Sequence, residues 1–404
     1  MTGPSFLRVE AARIRSSGLA ALLALVVLVA CASGIGEGDV QIPDFHVYFA
    51  LDATDLDGRG HPQVAVTDVF ISHGTSSASV ALLAGGSSPT LTSRLAQPSG
   101  PTDLAYGDLD GDGLQDLVVL LSGYNQPNQL RIYLQDGAHP GQFLAPQVIT
   151  LPGGDEWLKL VDLNGDGCLD ILTDTGQPVV LFQDAAHRGS FFAPVNLGIP
   201  RGYLVCCDLD GDGRTDLAVA SRDGTLRLFL QTLTPGLLSA GPVYALGGQP
   251  VDLCTGDLDG DGRPDLAVAV QTSSSPSSGP IVTYVHDAGA AASFHKVATG
   301  LAFSGGLAYG AGLVCADLDG DGKADLAYTQ QGVGIVTICL QLPGSAVAFG
   351  PRSDRGGFNL PIVLKAFDLD GDGRKDLIVA ADSVFLLRQD PLQPGHFLAP
   401  ARLL

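Results

Sequence analysis

"DLDGDGRPDL", residues 257–266, packs four carboxylates into nine positions: Asp257, Asp259, Asp261 and Asp265. Like charges this close repel one another unless a cation sits among them. Near-copies begin at Asp108 ("DLDGDGLQDL"), Asp162 ("DLNGDGCLDI"), Asp208 ("DLDGDGRTDL"), Asp317 ("DLDGDGKADL") and Asp368 ("DLDGDGRKDL"), and a weaker one, "DLDGRGHPQV", at Asp55. The steps between copies run from 46 to 60 residues. Self-similarity on that scale means stacked supersecondary units.

Working outward from the loop, each unit has the same order. A short apolar strand such as "LAYGD" or "LVCAD" precedes the acidic loop, and a compact apolar run follows it, "DLVVLL", "DLAVAS" or "DLIVAA". An alternating strand comes next ("QLRIYLQD", "TLRLFLQT", "SVFLLRQD"), then a Gly/Pro turn and a last strand ("PGQFLAPQVITL", "PGHFLAPARLL"). Period-two alternation between Gly, Pro and Asp clusters means strands and tight turns. One four-stranded sheet cannot bury both of its faces, but sheets arranged radially cover one another. The expected fold is therefore all-β, a seven-bladed β-propeller of four-stranded antiparallel blades over residues 42–404. Two ring closures fit the sequence: face packing of the first and last blades, with "ARLL" (401–404) completing blade seven, or a closing strand from "FHVYF" (45–49).

The strand 1–2 loops have the chemistry of a hard-cation site. All their donors are oxygens, and a flexible set of six or seven suits Ca²⁺ better than Mg²⁺. Gly at positions 4 and 6 permits the sharp turn. Position 12 holds Val119, Thr173, Val219, Val268, Tyr328 and Val379, so these are not EF-hands, and the closing carboxylate is the Asp at position 9. Position 7 varies freely, as expected of a backbone-carbonyl ligand. The candidate ligands are Asp108, Asp110, Asp112, Leu114 and Asp116; Asp162, Asn164, Asp166, Cys168 and Asp170; Asp208, Asp210, Asp212, Arg214 and Asp216. The second half of the ring supplies Asp257, Asp259, Asp261, Arg263 and Asp265; Asp317, Asp319, Asp321, Lys323 and Asp325; Asp368, Asp370, Asp372, Arg374 and Asp376. About six structural calcium ions are expected, one for each of these loops.

With "GxFxAP" elements such as "GQFLAP" and "GHFLAP", these loops resemble the FG-GAP/VCBS repeats of integrin α-subunit propellers and many bacterial surface proteins. The resemblance implies an ion in each strand 1–2 hairpin, held by side chains at positions 1, 3, 5 and 9 and the carbonyl at 7. The first copy departs from it, with Arg59 at position 5 and Gln63 at position 9. There the Arg59 guanidinium could stand where the cation would be, against Asp55 and Asp57.

The N-terminus reads as a targeting segment. Arg8, Arg13 and Arg15 precede a short apolar run, "LAALLALVVLVA" (19–30), that ends in "LVAC". This resembles the bacterial lipobox, which implies a signal peptide over 1–30, diacylated Cys31 and a linker to residue 41. The alternative is an ordinary cleaved signal with a chance Cys. Ala32 after the Cys, where Asp would mean inner-membrane retention, points to the outer membrane or cell surface of a bacterial envelope. The other six cysteines show no zinc spacing and read as small buried hydrophobes rather than a disulfide framework.

A net charge of -21 gives no electrostatic case for nucleic acid. No HExxH, GxSxG or phosphate loop is present, and His139 and His187 sit in matching turns, "DGAHPG" and "DAAHRG", as solvated residues. The chain is expected to be a non-enzymatic binding or adhesion scaffold for a protein or cell-envelope partner. A lectin is the alternative, weakened because Trp157, Tyr124, Tyr203 and Tyr309 occupy no matching places. The long connections at 72–79, 121–129, 271–280 and 303–312 share one face, and are either neutral insertions or the place where recognition resides.

Overall fold

A computed structural model describes residues 45–72, 75–86, 89–122, 127–153, 157–272, 278–304, 312–344 and 347–404. The targeting segment and Cys31 lie outside the described residues, as do Tyr124, Tyr309 and the central parts of the long connections. Seven antiparallel sheets follow one another along the chain. Blade two is representative, with strands Gly100–Gly107, Asp116–Ser122, Asn128–Tyr133 and Gln147–Leu151 paired in chain order. The first strand of each blade is innermost, and the fourth lies at the exposed rim.

The second strands are apolar without alternation because both of their faces are covered. In Asp116–Ser122, Leu117, Val119 and Leu121 pack towards blade one while Val118 and Leu120 pack towards blade three. Seven such clusters fill the seven seams, each shared by two adjacent blades. The Leu at position 2 of each of the six full acidic loops is buried in one of them.

The last seam decides how the ring closes. Phe45–Val47 and Leu51–Thr54 both pair with Gln63–Ser72, so "FHVYF" opens the interrupted inner strand of blade one and is not a strand of blade seven. Blade seven has four strands of its own, Val363–Phe367, Asp376–Ala380, Val384–Leu387 and Ala401–Arg402. Closure is by faces: Tyr48, Leu51, Val64 and Val66 meet Leu369, Ile378, Ala380 and Leu386.

Half-buried carboxylates stitch inner strands together. Asp52, Asp103 and Asp252 accept hydrogen bonds from the Tyr106, Leu158 and Leu313 N–H groups of the following blades, at 3.0, 2.7 and 2.8 Å. Burial pushes all three above the usual carboxylate range, against the pull of Lys159 and Lys365.

Two expectations are corrected. The stretch 72–79 is not a long connection, because Gln63–Ser72 and Thr75–Ala84 run almost up to each other. The cysteines are not all free: Cys254 and Cys315 are bonded, joining the inner strands of blades five and six. Spacing concealed this pair, because 61 residues separate partners that only ring geometry brings together. Cys168, Cys206, Cys207 and Cys339 are free thiols.

A crosslink over that separation stabilises by about 4 kcal/mol through the unfolded chain. Reduction should lower the denaturant midpoint of the wild type and leave a Cys254→Ser/Cys315→Ser variant unmoved. A reductant-insensitive wild type would show that the crosslink is not formed.

Candidate metal centre

Each acidic loop is organised by its own backbone. The position-1 Asp accepts from the N–H groups of both glycines: Gly211 to Asp208 Oδ1 at 2.7 Å and Gly213 to Asp208 Oδ2 at 2.8 Å, with counterparts in all six full copies. Both glycines stand at φ near +80°, +81° for Gly211 and +83° for Gly213, a region closed to most side chains. Position 5 accepts from the position-7 N–H, as Asp212 Oδ1 does from Arg214 at 2.9 Å. Where position 7 is Arg, as at Arg214, Arg263 and Arg374, its guanidinium turns back onto the position-5 carboxylate of the same loop.

Position 9 does more than close the loop. Asp216 is fully buried, and its Oδ2 accepts from Leu209 N at 2.9 Å while Oδ1 accepts from Gln231 N at 2.8 Å. The carboxylate thus brackets the loop's second residue and the end of the third strand. Asp116, Asp170, Asp265 and Asp325 repeat both bonds. Burial, reinforced by neighbouring loop carboxylates, pushes Asp116, Asp170, Asp216, Asp265 and Asp376 up to about 6 and Asp325 up to about 7. In the absence of an ion these groups resist ionisation.

The carboxylates converge in five loops. Oxygens of positions 1, 3 and 9 lie within 4.8 Å of one another in blades two, four, five and six, at Asp108/Asp110/Asp116, Asp208/Asp210/Asp216, Asp257/Asp259/Asp265 and Asp317/Asp319/Asp325. In blade seven the converging set is Asp368, Asp370 and Asp372. Blade three substitutes Asn164, whose amide donates to Asp166 at 3.0 Å. These clusters could bind metal ions, and the all-oxygen donor set fits a hard divalent cation.

Blade one keeps the fold of the loop with the carboxylates at positions 5 and 9 replaced by Arg59 and Gln63. Gln63 Oε1 accepts from Leu56 N at 2.6 Å, doing for this loop what the position-9 Asp does elsewhere. Arg59 reaches Asp57 at 3.3 Å with its side chain 80% exposed, while only its backbone N–H contacts Asp55, at 3.2 Å. The guanidinium therefore lies outside the loop rather than at its centre.

Reading the sequence for carboxylates missed the residues that hold them. Gln135, Gln183, Gln231, His286, Gln341 and Gln389 are buried at the end of the third strands, and their N–H groups are the Oδ1 donors. Several also reach other loop carbonyls: Gln389 Nε2 donates to Leu318 O at 2.6 Å and His286 Nε2 lies 3.2 Å from Leu209 O, each in the preceding blade. The signal was present as spacing. Five of the six stand eight residues before a Phe, with which each pairs as a bridge or ladder partner: Phe143, Phe191, Phe294, Phe349 and Phe397. His139 and His187 are exposed turn residues 2.8 Å from Asp136 and Asp184, as expected.

A sequence family described as FG-GAP-like repeat matches residues 108–173 and 208–268, and the FG-GAP repeat itself matches 250–292. These are FG-GAP repeats. The matched segments include the acidic hairpins of blades two to five; blades six and seven carry loops of the same geometry. No curated protein matches the chain. Among solved structures, BBS1N in complex with ARL6DN, soaked with mercury, is 16% identical, with a TM-score of 0.52 over 86% of this chain and 93% of that one. The lead-soaked form of that complex is 15% identical, with a TM-score of 0.49 over 82% and 88%. At such identity the likeness concerns the fold.

Proposed function

We propose that this FG-GAP propeller is a calcium-stabilised binding scaffold, exported and anchored to a bacterial envelope membrane through lipid on Cys31. The observation that carries the calcium reading is the repeated loop in which three carboxylates, in four blades two half-buried and one buried, converge on a backbone already bent to receive an ion. Bound calcium would supply the positive charge that these oxygens lack. The ligand residues hold the strand 1–2 hairpin, and the position-9 Asp ties it to the third strand. A rigid ring with variable connections on one face suits recognition of a protein. The crystals of BBS1N with ARL6DN show a chain of similar fold engaged with a protein. The Cys254–Cys315 bond suits an oxidising compartment outside the cytoplasm.

Capture from envelope extract tests this reading. Wild-type protein in calcium should retain a specific partner that is lost with EDTA and not retained by a variant shortened between 271 and 280. Equal capture by all three would remove both the calcium dependence and the assigned face. In the same cells, Cys31→Ser should move the protein from the membrane to the soluble fraction; an unchanged distribution would sink the anchor.

A further inference from the structure

Blade seven departs from its siblings at one residue. The position just before the buried Gln or His is apolar in the other full-loop blades, Leu134, Phe182, Leu230, Val285 and Leu340, but is Arg388 in blade seven. Its guanidinium Nη2 pairs with Asp370 Oδ2, the position-3 carboxylate. The converging acids there are at positions 1, 3 and 5, and position 9 is left out. Asp376, only 3% exposed, still accepts from Gln389 N at 2.9 Å, but its Oδ2 lacks the well-formed bond from the position-2 N–H that the other full loops make. Asp370 Oδ1, also buried, still lacks a partner while Arg388 holds a position-3 ligand of the converging set; the position-7 arginines of blades four and five, Arg214 and Arg263, pair only with position 5, which lies outside the converging sets there.

We propose that blade seven carries a second class of divalent-cation site, which exchanges with free calcium because the ion must displace Arg388 from Asp370. This rests on the calcium reading of the other loops. The site lies at the seam that closes the ring. Gly86 N of blade one donates to Leu369 O at 2.8 Å, and a Cβ on Gly371 would stand 2.6 Å from Gly60 O. Blade one adds no cluster of three acids among the described residues. Occupancy of blade seven's loop is thus the cation-dependent event at this seam.

Equilibrium dialysis of the full chain against graded free calcium tests the proposal. The wild type should show a tight class and one ion bound about tenfold or more weakly, the order expected for displacing a half-buried ion pair. Arg388→Leu should draw that ion into the tight class. Asp370→Ala should abolish it and spare the rest, which decides the matter if the first variant does not fold. A single tight class in the wild type, or a weak class indifferent to both substitutions, overturns the proposal while leaving the calcium reading intact. Binding of no calcium at all overturns both.

Discussion

Chelation should lower the melting temperature by about 10 °C or more at neutral pH, since each site occupied well above its dissociation constant contributes about 2–3 kcal/mol. Added Ca²⁺ should restore the melt, and Mg²⁺ should do so poorly, because its octahedral demand does not suit a loop of crowded carboxylates. The loss should not stay local. Hairpins loosened at the loops uncover position-2 leucines such as Leu209 and Leu258, which are core residues of the seams. An EDTA-insensitive melt would refute the calcium reading altogether.

Acid separates the ion-free from the ion-loaded protein. In the chelated protein the position-9 carboxylates titrate near 6, and Asp325 near 7, above their ordinary value of 3.8. The folded state then binds protons more tightly than the unfolded state, so stability rises as pH falls through that range and levels off below the ordinary value. The loaded protein must move the other way, because protonated Asp is a poor ligand. Melting curves with and without EDTA should therefore converge as pH falls from 7.5 to 4.5 (chosen to span about these pKa values).

The second large effect comes from one bracket. Asp216→Ala in saturating calcium should destabilise by about 3 kcal/mol or more, because it leaves the buried Leu209 and Gln231 N–H groups without acceptors. Asp212→Ala removes an exposed acceptor from the same loop and should cost clearly less. Denaturant midpoints for the two variants give the comparison; equal losses would show that position 9 is a ligand and nothing more.

Much of this architecture could be read before any coordinates. The fixed Asp and Gly positions mark the hairpins, and the unbroken apolar runs mark strands covered on both sides. What stayed hidden depends on groups far apart in the chain. Asp103 reads as an ordinary polar residue until the ring sets it beside Leu158 N, and Cys254 reads as a small hydrophobe until Cys315 arrives opposite. The buried glutamines escaped because amides carry no charge to attract notice, although their distance from the turn phenylalanines was constant. Arg388 escaped because one basic residue at the end of an alternating strand looks like any solvated one.

Closure by faces has a consequence for synthesis. Every blade is one uninterrupted run of chain, so blade one can take shape while the rest is still being made. Its outer partner is the last blade to emerge. Until then Tyr48, Leu51, Val64 and Val66 present a bare apolar surface to whatever surrounds the nascent protein. Interrupted translation or a premature stop before blade seven would release a sticky, incomplete ring, so a cell making this protein has reason to shield that surface until the final blade docks.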